Sequence, residues 1–387
     1  MTIKEIDKKY VANTYARFPV AITSGQGAIL TDDEGKDYID MGSGIGVNIF
    51  GASDKQWLEA VREQLAKLQH TSNLYYTEPC ARLAEILCSR TGMKKVFFSN
   101  SGAEANECAI KVARKYAQEK KGDGYFNIIT VEGSFHGRTI TTLAATGQDI
   151  FHQDFLPLTP GFVYTKANDI NDLLVKVKEN KIAAIMFETI QGEGGVVPLD
   201  NDFIQEMVKI AQEEDILLIV DEVQTGNGRC GSLYSYMDLG LNPDIVTTAK
   251  GLGGGLPIGA TMLGDKVKDV LTPGSHGSTY GGNPVACAGA INVINRLDEK
   301  LLAGVREKAD YIKAELEGAE GILSLTGKGL LIGIETTKEA QRVVSECREK
   351  GVLLLTAKHK VRLLPPLTIS FDQLSEAINV IKEVCAS

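Results

Sequence analysis

Apolar residues in the middle of the chain follow two alternating spacings. Short β-prone runs end at Phe98, Val131, Glu188, Asp221 and Thr248, and residues 259–264 form a further candidate strand. Residues 78–90 and 103–118 instead carry their apolar side chains at helical spacing. Alternation of this kind predicts a mostly parallel sheet flanked by helices on both faces, the α/β class. Ahead of it, residues 28–40 place two alternating runs around an Asp-Asp-Glu-Gly turn, which predicts a β-hairpin. Beyond Gly282 the pattern changes. One long helical stretch is expected over 284–319, a glycine-punctuated strand pair over 324–335, and helices over 339–350 and 371–384 flanking a strand-like 352–365. The predicted organisation is an N-terminal segment (1–50) joining a small C-terminal α+β domain (283–387), around a large domain (51–282). A functional site is then expected at the carboxyl ends of the large-domain strands, facing the small domain.

Composition narrows the field. The 387 residues carry a net charge of -9 with both signs mixed along the chain, which disfavours an electrostatic nucleic-acid binder. No apolar run is long enough to span a bilayer, so no membrane partner is expected. The first ten residues lack an apolar core for a signal peptide and are too acidic for a transit peptide. Seven scattered cysteines, odd in number and never spaced Cys-x-x-Cys, suggest buried thiols in a reducing compartment rather than disulfides or a metal site. The expected location is the cytoplasm.

Candidate chemistry gathers at the strand ends. The run Asp244-Ile-Val-Thr-Thr-Ala-Lys250 ends in a lysine and passes at once into Gly251-Leu-Gly-Gly-Gly255, a backbone able to admit a large flat ligand. The run 216–221 delivers Asp221, with Glu222 beside it, to another strand end. An amine and a carboxylate on neighbouring strand ends suit pyridoxal phosphate: the lysine holds the cofactor covalently and the acid keeps its ring nitrogen protonated. A solvated strand-end lysine is the simpler alternative for Lys250 alone. Ser101, Gly102 and Ala103, between the Phe98 run and the next helix, could cradle a phosphate on free N–H groups. Ser101 with Glu104 three residues on would equally satisfy an ordinary capping box. In the segment after Val131, Phe135 could stack on a flat ring and Arg138 could hold a carboxylate, or the two could be a core aromatic and a surface cation. His136 is assigned a structural role, since no second histidine or cysteine suggests a metal. The stretch Gly226-Asn-Gly-Arg-Cys-Gly231 fits a dinucleotide-binding G-x-G-x-x-G and makes a nicotinamide-dependent oxidoreductase the rival class. The acids just ahead of it would repel a pyrophosphate, and no clear helix follows.

Several further stretches stand in one order along nearly the whole chain: Asn13-Thr-Tyr-Ala-Arg-Phe-Pro19, His70-Thr-Ser-Asn-Leu-Tyr-Tyr-Thr-Glu-Pro79, Ser101-Gly-Ala-Glu-Ala-Asn106, Phe135-His-Gly-Arg138, Gln191-Gly-Glu-Gly-Gly195 and Gly277-Ser-Thr-Tyr-Gly-Gly-Asn-Pro284. Together with Asp221 and Lys250 they resemble the class III pyridoxal-phosphate aminotransferases of fold type I. The resemblance implies pyridoxal 5'-phosphate as cofactor, Lys250 as its covalent anchor and proton shuttle, and Asp221 on the ring nitrogen. It implies Phe135 and Val223 on the two ring faces, Gln224 on the ring hydroxyl, and Ser101, Gly102 and Ala103 at the phosphate; Glu222 is grouped with them. Thr279 is expected to reach the phosphate of a neighbouring subunit, which implies a homodimer with shared sites. On the substrate side it implies carboxylate binding by Arg138, glutamate α-carboxylate binding by Arg362, masking of Arg362 by Glu193, and substrate contacts from Ser278 and Tyr15. No metal is expected. The implied reaction takes an ω-amino group to 2-oxoglutarate, with N2-acetylornithine as the expected donor in arginine biosynthesis. Succinylornithine, ornithine, 4-aminobutyrate and acetyl-lysine are the alternatives. One departure concerns Phe50-Gly-Ala-Ser-Asp-Lys-Gln-Trp57, where many relatives carry Gly-His-x-His-Pro; local loop packing and substrate entry there are left open.

Overall fold

The computed structural model describes residues 1–387. Its central sheet has seven strands in the order Lys95–Ser99, Gly259–Leu263, Ile245–Thr248, Leu217–Asp221, Ile182–Phe187, Asn127–Val131 and Phe162–Thr165. Every strand runs parallel except Gly259–Leu263, which is antiparallel to both neighbours. Continuous apolar runs suit such a sheet because both faces are covered. Leu217 and Ile219 face one core with the helix Gly102–Lys121, through Ala109, Val112 and Ala113. Leu218 and Val220 face the opposite core with Phe203, Ile204 and Met207 of the helix Asn201–Glu213. The two-residue alternation of a strand thus feeds two helical layers.

The hairpin predicted over 28–40 forms from Ile29–Asp32 and Asp37–Asp40, and Val352–Leu353 adds to it in parallel, so the N-terminal segment and the C-terminal portion share a sheet. A second small sheet runs Ile322–Lys328, Leu331–Thr336, Lys360–Leu363, Leu355–Ala357, antiparallel throughout. The single helix expected over 284–319 is in fact two, Pro284–Arg296 and Glu299–Leu316. The break has a physical cause: the Asp298 side chain accepts from Leu301 N at 2.8 Å and caps the second helix. The first of the pair packs against Lys55–Lys67 and Glu78–Thr91 of the large unit, not with the C-terminal sheet. No helix is long and apolar enough to cross a membrane.

Arg229, in the turn after the Leu217–Asp221 strand, joins the units. Its buried guanidinium donates to Leu330 O at 3.1 Å, Pro365 O at 2.5 Å and Ser43 Oγ at 3.3 Å. Burial lowers its pKa to about 10, so it stays charged at neutral pH. Arg229→Leu keeps apolar bulk but leaves buried acceptors without a donor, and should cost about 3 kcal/mol. The measurement is the midpoint of denaturant unfolding; a loss below about 0.5 kcal/mol, the scatter of ordinary surface changes, would show that Arg229 does not join the units.

Candidate active site

A cleft of about 460 Å³ opens at the strand ends. Five of the parallel strands deliver their next residues to it: Ser101 beyond Ser99, Phe135 to Arg138 beyond Val131, Glu188 beyond Phe187, Asp221 itself, and Lys250 beyond Thr248. The antiparallel strand Gly259–Leu263 begins where the others end, so Pro257 and Ile258 line the same space.

Lys250 stands at φ 43°, a left-handed conformation that non-glycine residues seldom adopt, and opens a short 3₁₀ turn. Burial lowers its amine pKa, with the Glu193 carboxylate opposing that effect. The glycines behind it serve packing more than ligand access. A Cβ on Gly251 would lie 2.5 Å from Ile49 Cδ1, and one on Gly254 2.8 Å from Trp57 Nε1. Trp57 Nε1 also donates to Gly253 O at 3.2 Å, which accounts for part of the departing 50–57 segment.

Asp221 is 3% exposed and held by three donors. Its Oδ2 accepts from Asn106 Nδ2 and from His136 Nδ1, both at 2.8 Å, and Oδ1 accepts Val223 N at 3.0 Å. His136 therefore does more than fill the core, and Asn106 and Glu188 are site residues that pattern reading missed. Their one sequence signal is position: each stands within or just beyond a strand-end motif. The fully buried Glu188 carboxyl is raised well above the usual range by burial and by the Asp221 charge, against hydrogen bonds from Phe135 N at 2.9 Å and Gly192 N at 3.4 Å.

Ser101 caps the twenty-residue helix Gly102–Lys121, its Oγ accepting Glu104 N at 3.2 Å. The Glu104 carboxylate reaches one residue further than a capping box, to Asn100 N at 3.0 Å. The N–H groups of Gly102 and Ala103 remain available in the first turn, a ready anion site at the cleft wall. Gly102 is required there, since a Cβ would lie 2.7 Å from Val223 Cγ1.

Arg362 and Glu193 meet beside Gln224. Arg362 Nη1 donates to Glu193 Oε1 at 2.6 Å, to Gln224 Oε1 at 3.1 Å and to Gly192 O at 3.2 Å, while Gln224 Nε2 donates to Glu193 Oε1 at 3.1 Å. Burial would raise the Glu193 carboxyl, but the Arg362 charge outweighs it and holds the pKa below its ordinary value. Arg362 Nε is buried with no partner, a donor free for a further oxyanion. Arg138 lies at the cleft mouth, its guanidinium 4.1 Å above the Phe151 ring.

Four expected residues lie elsewhere. Glu222 points away from the cleft, its carboxylate taken up by Ser235 Oγ at 2.6 Å, Tyr236 N at 2.7 Å and Thr225 Oγ1 at 2.7 Å. The strand ends at Asp221, and the two neighbouring carboxylates take up different partners, so they do not share one ligand. Ser278 is engaged within its own turn, accepting Gly281 N at 3.0 Å and Asn100 Nδ2 at 3.2 Å. Thr279 is exposed and outside the cleft, as is Tyr15, 70% exposed. The rival stretch 226–231 carries no phosphate cup: Asn227 is buried on Thr248 and Ala249, Arg229 spans the units, and the next helix has four residues.

A covalent-capable lysine, an anchored carboxylate and a helix N-terminus around one slot define the class: a fold type I, pyridoxal-phosphate-dependent transferase. Comparison with known proteins sharpens this. The model of the aminotransferase class-III family matches residues 10–385, and the chain belongs to that family. It is 52% identical to the acetylornithine aminotransferase of Haemophilus ducreyi over 99% of this chain and 98% of that one. It is 47% identical to that of Aquifex aeolicus over 97% and 99%. Among solved structures, an ornithine aminotransferase from Toxoplasma gondii, described with partial occupancy of PLP, superposes with a TM-score of 0.93 at 33% identity, covering 99% of this chain and 93% of that one. The acetylornithine aminotransferase of Elizabethkingia anophelis gives 0.87 at 33%, covering 98% and 97%.

Because Glu193 titrates below its unfolded value, its pairing with Arg362 contributes stability that is full above the unfolded pKa and lost as pH falls through the folded one. Glu193→Gln should therefore flatten the acid limb of stability below about pH 4.5. Unfolding monitored between pH 3 and 6 checks this; an unchanged acid limb would mean that the pair is not ionic.

Proposed function

We propose that the chain moves the δ-amino group of N2-acetyl-L-ornithine to 2-oxoglutarate, giving N-acetyl-L-glutamate 5-semialdehyde and L-glutamate, as a homodimer. The observation that carries this reading is the Glu193–Arg362 pair beside the Lys250 cleft. An enzyme alternating between an acylated diamine and glutamate needs a cation that can be hidden from one substrate and offered to the other. The 52% identity to an acetylornithine aminotransferase supports the choice of donor.

The cleft fits pyridoxal phosphate on its own terms, through the unpartnered first-turn amides, the three-donor clamp on Asp221 and the flat slot bounded by Phe135 and Val223. When bound, that cofactor supplies the electron sink and carries the amino group between two half-reactions. Lys250 would anchor it and move the proton; burial lowers its amine pKa, the direction that favours the neutral form this task requires. Asp221, fixed by Asn106 and His136, keeps the ring nitrogen protonated. Gly102 and Ala103 N–H groups with Ser101 would hold the phosphate, and Gln224 would meet the ring hydroxyl. Arg138 binds a substrate carboxylate. Arg362 binds the α-carboxylate of glutamate after Glu193 lets it go.

An exposed patch supports the dimer. Leu74 (87% exposed), Tyr75 (70%), Tyr76 and Tyr280 (61%) adjoin the turn that carries Thr279. Exposed apolar side chains of this kind favour an interface, and from it Thr279 would reach a neighbouring subunit's phosphate site.

A panel of kcat/KM values tests the donor. Acetylornithine should exceed free ornithine and 4-aminobutyrate by at least roughly tenfold, the worth of about 1.4 kcal/mol of binding discrimination. A preference for either unacylated amine would overturn the assignment.

The pair makes a second, sharper expectation. Arg362→Ala should chiefly harm the glutamate half-reaction, by about 2–5 kcal/mol, whereas Glu193→Ala should help glutamate and harm the ω-amine reaction. Stopped-flow measurement of each half-reaction separates the two. Equal losses in both halves for both variants would reduce the pair to a structural contact.

A further inference from the structure

The segment 70–76 lies outside the cleft, yet Asn73 binds the neighbouring turn closely. Its Nδ2 donates to Ser278 O and to Gly281 O, both at 2.9 Å. From the cleft side, Asn100 Nδ2 donates to Ser278 Oγ at 3.2 Å, and the same Oγ accepts Gly281 N. Asn100 is itself fixed by Glu104, through its backbone N at 3.0 Å and its Nδ2 at 2.9 Å. Gly281 cannot move inward, because even a Cβ there would meet Phe98 O at 2.1 Å. The turn is thus gripped at Ser278 and Gly281, while Thr279 and Tyr280 between them stay exposed.

The geometry points to Asn73 and Asn100 as positioning residues that act across the subunit boundary: they hold the 278–281 turn so that Thr279 presents its hydroxyl to the phosphate bound in the other chain's cleft. This rests on the dimeric aminotransferase reading above. A short polar side chain on a surface turn gives a hydrogen bond its full worth only if the turn is already in place, since ordering it on binding would consume the gain. Two side-chain amides from separate elements, one beyond the Lys55–Lys67 helix and one at the phosphate cup, supply that order before any ligand arrives.

Hybrid dimers test the idea. In a hybrid where only one chain retains Lys250, the absorbance of the lysine-held cofactor reports that site alone. Pairing a wild-type chain with a Lys250→Ala, Asn73→Ala chain gives the reporting site a loosened turn. Pairing an Asn73→Ala chain with a Lys250→Ala chain gives it an intact one. Titration with pyridoxal phosphate should show about tenfold weaker binding in the first hybrid than in the second, within the range for one hydrogen bond to a charged group. Any general loss of folding would weaken both alike. Asn73→Asp, isosteric but facing two carbonyls with an acceptor, should reproduce the pattern. Asn100→Ala, which lines its own cleft as well, should weaken both sites. A Thr279→Ala pair run in parallel keeps the two ideas apart. If Thr279→Ala acts in its own chain's site, the shared-site reading fails, and this inference with it. If Thr279→Ala acts across the boundary while Asn73→Ala and Asn73→Asp act in their own chain's site or nowhere, the positioning role alone is overturned.

Discussion

Three donors converge on the Asp221 carboxylate, and each comes from a different part of the chain. Asn106 lies one turn into the helix Gly102–Lys121, His136 in the segment after the Asn127–Val131 strand, and Val223 in the turn after Asp221's own strand. A buried carboxylate must be fully bonded to be tolerated, so satisfying this one fixes the relative position of all three segments. Gly102 and Ala103 travel with Asn106, Phe135 and Arg138 with His136, and Gln224 with Val223. Asn106 Nδ2 also donates to His136 O at 2.8 Å, which ties two of the segments directly. The shape of the slot follows from the anchoring of one acid.

Much of this was legible because strand ends announce themselves. Lys250 and Asp221 each close an apolar run, and a parallel sheet brings such ends to one side whatever lies between them in sequence. What failed was local. Glu222 was grouped with its neighbour although its carboxylate is taken up by Ser235 and Tyr236 instead. His136 has the structural role assigned to it, holding Asp221 from 85 residues away, whereas Glu188 reads as the end of a run because nothing nearby in sequence reveals Phe135 N above it. The helical periodicity over 284–319 was real but hid a cap at Asp298, because two helices meeting end to end preserve an apolar stripe across the break.

The Glu193–Arg362 pair joins residues 169 apart, so spacing and periodicity alone do not show it; only the resemblance implied it. Its two halves are held unequally. Arg362 lies in the strand Lys360–Leu363, which is hydrogen-bonded on both sides, and its side chain is 3% exposed. Glu193 is 27% exposed on an irregular segment. Breaking a buried pair is costly chiefly for the member that stays buried, so if the pair opens as proposed, Glu193 is the partner that can leave for water and Arg362 the one that needs a replacement anion.

The glycines around Glu193 suggest a swinging loop, and the packing argues otherwise. A Cβ on Gly192 would lie 2.0 Å from Gln224 Oε1, and one on Gly194 2.5 Å from Gly133 O. Those residues are glycine because the backbone is wedged, not because it is free. Gly192 N is further tied to Glu188 and Gly192 O to Arg362. Under the proposed reading, opening the pair would be a rotation of the Glu193 side chain over a tied main chain, with Gln224 still bonded to Arg362. That same Gln224 bonds both members of the pair, so its amide accepts from Arg362 whether Glu193 or a substrate carboxylate stands beside it. Under the proposed reading one amide would then serve the cofactor and the carboxylate pair at once, because it reaches both Glu193 and Arg362.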